Sequence, residues 1–267
     1  MNHEFAFSER DFSRVRSLIA GYAGISLHDR KQNMVYNRLA RRLRATGVRS
    51  FGDYLDWVEA PGSEERERFV NALTTNLTSF FREPHHFEML AALAKARPGV
   101  RLRVWSSACS TGEEPYSAAI ALREAGRSAE ILATDLDTDA LESARQAVYR
   151  LQALEGAGLD RLRPHFLKGT GANAQFALVR PEVSAMVRFE SRNLLGEDWP
   201  AGERFDAVFC RNVMIYFDRE AQQRVLARIA TVLAPGGLLF LGHSESCAAS
   251  HPAFRFRAKT TYERRDG

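Results

Sequence analysis

The chain has 267 residues, 45% hydrophobic and 26% charged, an ordinary make-up for a soluble globular protein with one large domain or a main domain and a smaller companion. No apolar run approaches the ~18 residues of a membrane span, and the opening "MNHEFAFSERDF" lacks the basic and apolar segments of a secretory leader, so a cytoplasmic protein is expected. The net charge is only +4, and Cys109, Cys210 and Cys247 are far apart, match no zinc spacing, and are expected as buried reduced thiols.

The first ~95 residues read as helices. Ser8 caps a helix through about Ala20, with Phe12, Val15, Leu18 and Ile19 on one face. A second helix turns Met34, Val35, Leu39 and Leu43 inward and its arginines outward. Ser50 caps a third, holding Phe51, Tyr54, Leu55 and Val58, which ends at "APGS". A fourth runs from about Glu64 to Leu73, and "EPHHFEMLAALAKARPG" forms a fifth with Pro84 in its first turn. Between Arg30 and Arg49 there are seven basic residues and no acidic one. Arg38, Arg41, Arg42 and Arg49 recur at three-, four- and seven-residue spacings, so they share a side of a helix. That side is either a solvated face or a docking surface for an acidic partner.

After Pro98-Gly99 short apolar runs alternate with helical patterns: "RLRVWSSA", "EILATD", "VRFESRNLL", "FDAVFCRN" and "GLLFLGHSE". Such alternation predicts βαβ units, hence a doubly wound parallel sheet with helices on both faces. "APGG" reads as a turn between helix and strand, and "FRFRAKTTYERR" as an edge strand. The segment from about 149 to 187, with "KGTGAN" and "FALV", breaks the pattern and reads as a small inserted β-rich subdomain.

Ligands of open α/β sheets bind beyond the carboxyl ends of the strands. The first strand runs into "ACSTGEE", with one glycine, Gly112, followed by Glu113 and Glu114. A dinucleotide needs several glycines there so that backbone N–H groups can approach its pyrophosphate. The second ends at Asp135, placed to accept from ribose hydroxyls. An adenosine ligand with a cationic end and no phosphate fits this pair of loops, and S-adenosylmethionine is such a ligand. Glu113 or Glu114 would receive its ammonium. Asn193 and Leu194 end another strand, suited to an adenine edge and face. Arg211 and Asn212 end a further one, with Tyr216 shortly after.

Taken together, "TTNLTSFFREPHHF", "WSSACSTGEEPYS", "ATDLDTDALESAR", "CRNVMIYFD" and "GGLLFLGHSE" resemble the chemotaxis receptor glutamate methyltransferases, the CheR family, over nearly the whole chain. The resemblance implies a Rossmann-like S-adenosylmethionine-dependent methyltransferase sheet, an all-helical N-terminal domain and an inserted β-subdomain. On that basis residues 1–83 form the helical domain and linker, and 84–267 the catalytic domain. It implies that Asn76, Thr78 and Arg82 line the cofactor and methyl-transfer site, and that a carboxylate of "GEE" meets the methionyl amine. Asp135 is the implied ribose acid, Asn193 and Leu194 the adenine contacts, Arg211 and Asn212 further cofactor contacts, and Tyr216 the active-site tyrosine. The implied partner of Arg38, Arg41 and Arg42 is the cytoplasmic helical bundle of a chemoreceptor, and in some members the β-subdomain takes a receptor C-terminal peptide.

Other readings are weaker. His85-His86 has no third ligand at metal spacing, so no metal is expected. His243-Ser244-Glu245 lacks the elbow motif of a hydrolase. Phe80 and Phe81 are expected to pack between the two domains. A nucleic-acid partner is not expected, because the basic run lacks interleaved aromatics beyond Tyr36. A monomer is expected.

Overall fold

A computed structural model describes residues 4–200 and 202–266. The chain forms two compact units: residues through Thr75 with Tyr216–Ala221, and Asn76–Ile215 with the remainder.

The first unit contains α1 (Glu9–Ala23), α2 (Gln32–Thr46), α3 (Phe51–Glu59) and α4 (Glu65–Leu73). Ser8 accepts from the Asp11 N–H while the Asp11 carboxylate accepts from the Ser8 N–H, a reciprocal cap that starts α1. The helix runs three residues past Ala20 because Ala23 is buried and Gly24, at φ 69°, can make the left-handed stop. Ser50 caps α3 by accepting from the Asp53 N–H, while its hydroxyl donates to the Asp53 carboxylate. Phe12, Val15, Ile19, Val35, Leu39, Leu43, Tyr54, Leu55 and Phe69 are buried, while Leu18 and Met34 are only half-buried.

Two of the arginines expected to point outward do not. Arg42 makes a two-pronged bond to Glu65 at 2.8 and 2.9 Å, and the Tyr54 hydroxyl donates to the same carboxylate at 2.9 Å. Glu65 is buried, and a buried carboxylate needs such partners. Arg38 donates to the Thr74 carbonyl. Arg38 and Arg42 lie one turn apart and lock α2 onto α4 and the segment after it. Arg41 lies one step round the helix and is exposed.

The second unit begins with α5 (His85–Ala96) and β1 (Leu102–Ser106), then α6 (Glu113–Glu124), β2 (Ala129–Asp135) and α7 (Thr138–Gln146). A small sheet follows: β3 (Val148–Arg150), β4 (Phe166–Lys168) and β5 (Phe176–Val179), with short helices α8 (Leu151–Glu155), α9 (Leu159–Leu162) and α10 (Pro181–Ser184) around it. The main sheet resumes with β6 (Val187–Ser191), β7 (Phe205–Cys210), α11 (Arg219–Val232), β8 (Leu233–Leu241), β9 (Phe254–Ala258) and β10 (Thr261–Arg264). Its order is β6-β2-β1-β7-β8-β10-β9, parallel from β6 to β8 and antiparallel thereafter. Chain order reverses between β1 and β7, which makes the carboxyl ends of these two strands the ligand crevice.

Two local readings change. "APGG" is not a turn but an irregularity inside β8: Leu233 pairs with Phe205, and Leu238 next pairs with Ala207. Gly236 adopts φ 69°, and a Cβ on Gly237 would lie 2.7 Å from the Ala234 carbonyl, so both positions need glycine. The closing segment is a hairpin of β9 and β10, turning at Thr260 with φ 51°, with β9 at the edge. The small sheet has order β3-β5-β4, so the "FALV" strand is its centre. Cys109 and Cys210 are buried, whereas Cys247 is half-buried.

Candidate active site

The turn after β1 is held by the strands beside it. Ser107 bonds the Phe209 carbonyl through both N–H and hydroxyl, Cys109 N–H reaches Thr134, and Ser110 N–H donates to Asp135 Oδ2 at 2.7 Å. Gly112 enters α6 at φ 96°, and a Cβ there would lie 2.8 Å from the Tyr149 hydroxyl and 2.9 Å from Ala144. Its single glycine is therefore demanded by conformation and by space. The Tyr149 hydroxyl, from the small sheet, donates to the Thr111 carbonyl at 2.7 Å.

Glu113 and Glu114 open α6, where the helix dipole favours negative charge. They are not equivalent. Glu114 has both oxygens committed, one accepting from the Ser106 hydroxyl at 2.7 Å and the other from Arg211 at 3.0 Å. Glu113 accepts from the Thr111 hydroxyl through Oε2 at 2.7 Å, and the two glutamates are equally buried, each 8% exposed. Burial raises both carboxyls above their ordinary value, opposed at Glu114 by Arg211 and at Glu113 by Thr111.

At the end of β2, Asp135 accepts from Ser110 and, through Oδ1, from the Asp137 N–H at 2.9 Å. Burial raises its carboxyl and these N–H groups oppose the rise. Asp137 caps α7 through the Ala140 N–H at 3.0 Å and accepts from the Asn76 amide at 2.7 Å. Ser110 donates its hydroxyl to Asn76 at 3.2 Å. The Arg192 N–H bonds the Asp135 carbonyl at 3.0 Å, setting Asn193 and Leu194 beside that strand end. Asn193 is half-buried and accepts from the Leu195 N–H; Leu194 is buried.

Arg211 is the hub on the other side of the crevice. It is 5% exposed, pairs with Glu114, lies 3.3 Å from Glu83, and donates to the Arg82 carbonyl at 2.6 Å. Burial alone would raise Glu83, but Arg211 and the bonds from His243 outweigh it and leave the carboxyl below its ordinary value. Arg82 is half-buried and donates to the Leu77 carbonyl at 3.0 Å; Thr78 is half-buried in the same loop. Asn212 N–H donates to Glu245 at 2.9 Å. Tyr216 is half-buried in the first unit, where its carbonyl accepts from the Ser26 N–H at 2.9 Å.

Phe81, Glu83, Ser110 and Asn212 have φ between 50° and 59°, four of the six non-glycine residues with positive φ among those described. Each costs about 1 kcal/mol. Their gathering at one set of loops marks a place where backbone comfort gives way to side-chain placement.

Hydrogen bonds thus bring together Asn76, Asp135 and the turn after β1, and separately Arg82, Glu114 and Arg211, while Asn212, next in the chain, bonds Glu245. Sequence reading missed Glu83, Asp137 as a partner of Asn76, Tyr149 and Glu245. Glu83 lay within the "TSFFREPHHF" motif, but only the fold reveals its partners. Phe80 and Phe81 pack within the second unit, Phe80 against Tyr149 and Phe166 at 4.8 and 5.5 Å and Phe81 against Phe87 at 5.2 Å. His85-His86 does have a third neighbour: ligand atoms of Glu83, His85 and His86 lie within 4.8 Å of one another. Burial pushes His86 down to about 2, so it is neutral, and the nearby Arg211 guanidinium opposes a cation at Glu83.

The donor set suits S-adenosylmethionine. Two carboxylates at the helix start disfavour a phosphate and favour a cationic group. Among the described residues no helix is long and apolar enough to cross a membrane.

Comparison with known proteins agrees. The family described as "CheR methyltransferase, SAM binding domain" matches residues 76–263, and "CheR methyltransferase, all-alpha domain" matches residues 10–74. The chain is 48% identical to the chemotaxis protein methyltransferase of Klebsiella aerogenes, over 98% of this chain and 92% of that protein. It is 46% identical to that of Escherichia coli, over 98% and 93%, and 47% identical to chemotaxis protein methyltransferase 2 of Pseudomonas aeruginosa, over 98% and 95%. An S-adenosylmethionine-type crevice on a parallel sheet, an all-helical first unit and full-length similarity together place this chain in the CheR methyltransferase family.

Proposed function

We propose that the protein methylates glutamate side chains on the cytoplasmic helical bundle of chemoreceptors, giving glutamate methyl esters and S-adenosylhomocysteine. The observation that carries the cofactor half is the inequality of Glu113 and Glu114. With each Glu114 oxygen already engaged, by Ser106 and by Arg211, we take Glu113 as the carboxylate for the methionyl ammonium. Asp135, Asn193, Leu194, Asn212, Asn76 and Thr78 serve the rest of the cofactor. In this proposal Arg211 acts through Glu114 and the Arg82 carbonyl.

The cofactor supplies a methyl group activated by its sulfonium. A glutamate side chain, with pKa ~4.3, is already ionised at neutral pH. Its oxygen forms the new bond to the methyl carbon as the carbon–sulfur bond breaks, and the electron pair stays on sulfur. No proton moves, so no general base is required, and positioning dominates. We assign Arg82 to orient the acceptor carboxylate and Tyr216 to the methyl-transfer step.

Arg41 is the exposed member of the basic trio and the first candidate for receptor docking; Arg38 and Arg42 would contribute only through the face they stabilise. A receptor C-terminal peptide would add to an outer strand of the small sheet, β3 or β4, since β5 is enclosed. Titration calorimetry with receptor tail peptides tests that; no heat leaves recognition to the bundle. A cytoplasmic, monomeric enzyme belongs to the same proposal.

The central experiment is transfer of tritiated methyl from S-adenosylmethionine to receptor cytoplasmic fragments. Base-labile label on the receptor is expected, and base-stable label or none would refute the ester assignment. Arg41→Glu should lower this transfer several-fold with cofactor affinity unchanged.

A further inference from the structure

Glu245 is a buried carboxylate, 5% exposed, with no cationic side chain paired to it among the described residues. A buried charge needs strong partners, and Glu245 finds them in the backbone. Its Oε2 accepts from the N–H of Asn212 at 2.9 Å and of Gly242 at 2.6 Å, and its Oε1 from the N–H of Met214 at 2.8 Å. The Glu245 N–H itself closes a turn onto the Gly242 carbonyl at 2.9 Å. Glu245 therefore ties the loop after β8 to the loop after β7.

The tied loop is the one that carries Arg211 and Asn212. Asn212 sits at φ 59°, a conformation it does not hold cheaply. Arg211 anchors the loop from one side through Glu114 and the Arg82 carbonyl, and Glu245 anchors it from the other. The approach is close enough to exclude any side chain at Gly242: a Cβ there would lie 2.5 Å from the Asn212 amide nitrogen and 2.8 Å from Glu245 Oε2. Only a carboxylate serves, because all three neighbours are donors, and an amide has one acceptor oxygen and would turn its own NH₂ toward an N–H.

We infer that Glu245 is a positioning residue for cofactor binding, which fixes Asn212 and the backbone of residues 211–214 in the geometry that receives the adenosyl group. It touches neither cofactor nor acceptor; it acts through Asn212. This rests on the reading of Asn212 as a cofactor contact. A loop displaced by about 1 Å can lose as much as 100-fold in a positioned reaction.

The test is calorimetric binding of S-adenosylhomocysteine to Glu245→Gln, Glu245→Ala and Gly242→Ala, at a temperature where circular dichroism shows each variant fully folded. Affinity should fall about 10-fold or more in Glu245→Gln and further in Glu245→Ala. Gly242→Ala, which keeps the Glu245 side chain but drives a methyl group against its Oε2 and the Asn212 side-chain amide, should fall similarly. KM for S-adenosylmethionine should rise in parallel. A purely structural role would lower the melting temperature and leave the affinity of the folded variants at the wild-type value, and that result would overturn the inference. Should both Glu245 variants fail to fold, Gly242→Ala decides by the same criterion. Failure of the wild-type protein to bind S-adenosylhomocysteine would instead overturn the cofactor reading beneath it.

Discussion

The two sheets of the second unit use the same chemistry to different ends. In the seven-stranded sheet, β1 and β7 are covered on both faces, and Val104, Trp105, Ala207, Val208 and Phe209 are all at most 1% exposed. In the three-stranded sheet only one face is covered. Tyr149, Phe166, Ala177 and Val179 turn inward to meet Phe80, while Val148, Leu178 and Leu167 pair across the strands and are 46%, 40% and 39% exposed. The large sheet spends its apolar surface on its own core, and its polar strand ends become a ligand crevice. The small sheet leaves a short row of three aliphatic side chains partly exposed. Tyr149 joins the two, with its ring in the small sheet's covered face and its hydroxyl on the turn after β1.

The sharpest way to break the large-sheet side of this contrast is Arg211→Ala. It would leave Glu114 buried with one partner and Glu83 without its guanidinium, and removing one partner of a buried pair costs about 3–5 kcal/mol. Thermal denaturation should show a large loss of stability, with cofactor binding lost as well. Stability within 1 kcal/mol of wild type would mean the pair is dispensable.

Glu113→Gln is expected to spare the fold and weaken S-adenosylhomocysteine binding about 10–100-fold, the value of one charge-assisted hydrogen bond. The wild-type pH dependence gives a second reading. The Glu113 carboxyl is raised above 4.5 by burial, so it holds its proton to higher pH than an ordinary glutamate. Ammonium binding needs the anion, so affinity is full well above that value and falls as pH drops through it. The acid-side loss should flatten in Glu113→Gln; an unchanged profile would move the assignment away from Glu113.

Tyr149→Phe keeps the ring contacts and removes the bond to Thr111. A loss of about 1 kcal/mol, or ~5-fold in cofactor affinity, is expected. No change would show the two sheets to be joined by packing alone. Smallest of all is Leu178→Ser, on the exposed row. Stability should stay within about 0.5 kcal/mol. If it instead fell by 2 kcal/mol, the row would belong to the packed fold.

Much of this was legible in the chain. Ser8 and Ser50 stand before periodic apolar runs, so the helix starts are local facts. Asp135 follows an apolar run, and strand ends point into the crevice of any parallel sheet. Gly112 followed by two glutamates excludes a phosphate loop by composition alone. The illegible parts are those where distant residues meet. Arg42 looked like surface because its partner Glu65 lies in another helix, 23 residues on. Glu83 and Glu245 lie within recognisable motifs, but nothing local marks a carboxylate that will be buried. The bulge at Gly236 and the hairpin at Thr260 depend on which strands lie alongside, which periodicity does not encode.

The sequence alone determined the kinds of element, their order, and the ligand class that the first strand ends could accept. These follow from short-range rules: caps, apolar period, and the need of phosphate for bare N–H groups. Only the tertiary structure decided which of two adjacent glutamates remained available, and which arginines were consumed internally. That choice turns on burial and on partners 97 residues apart in the case of Arg211 and Glu114. A charge taken out of water must be answered at once, and the group that answers it is no longer free for a ligand.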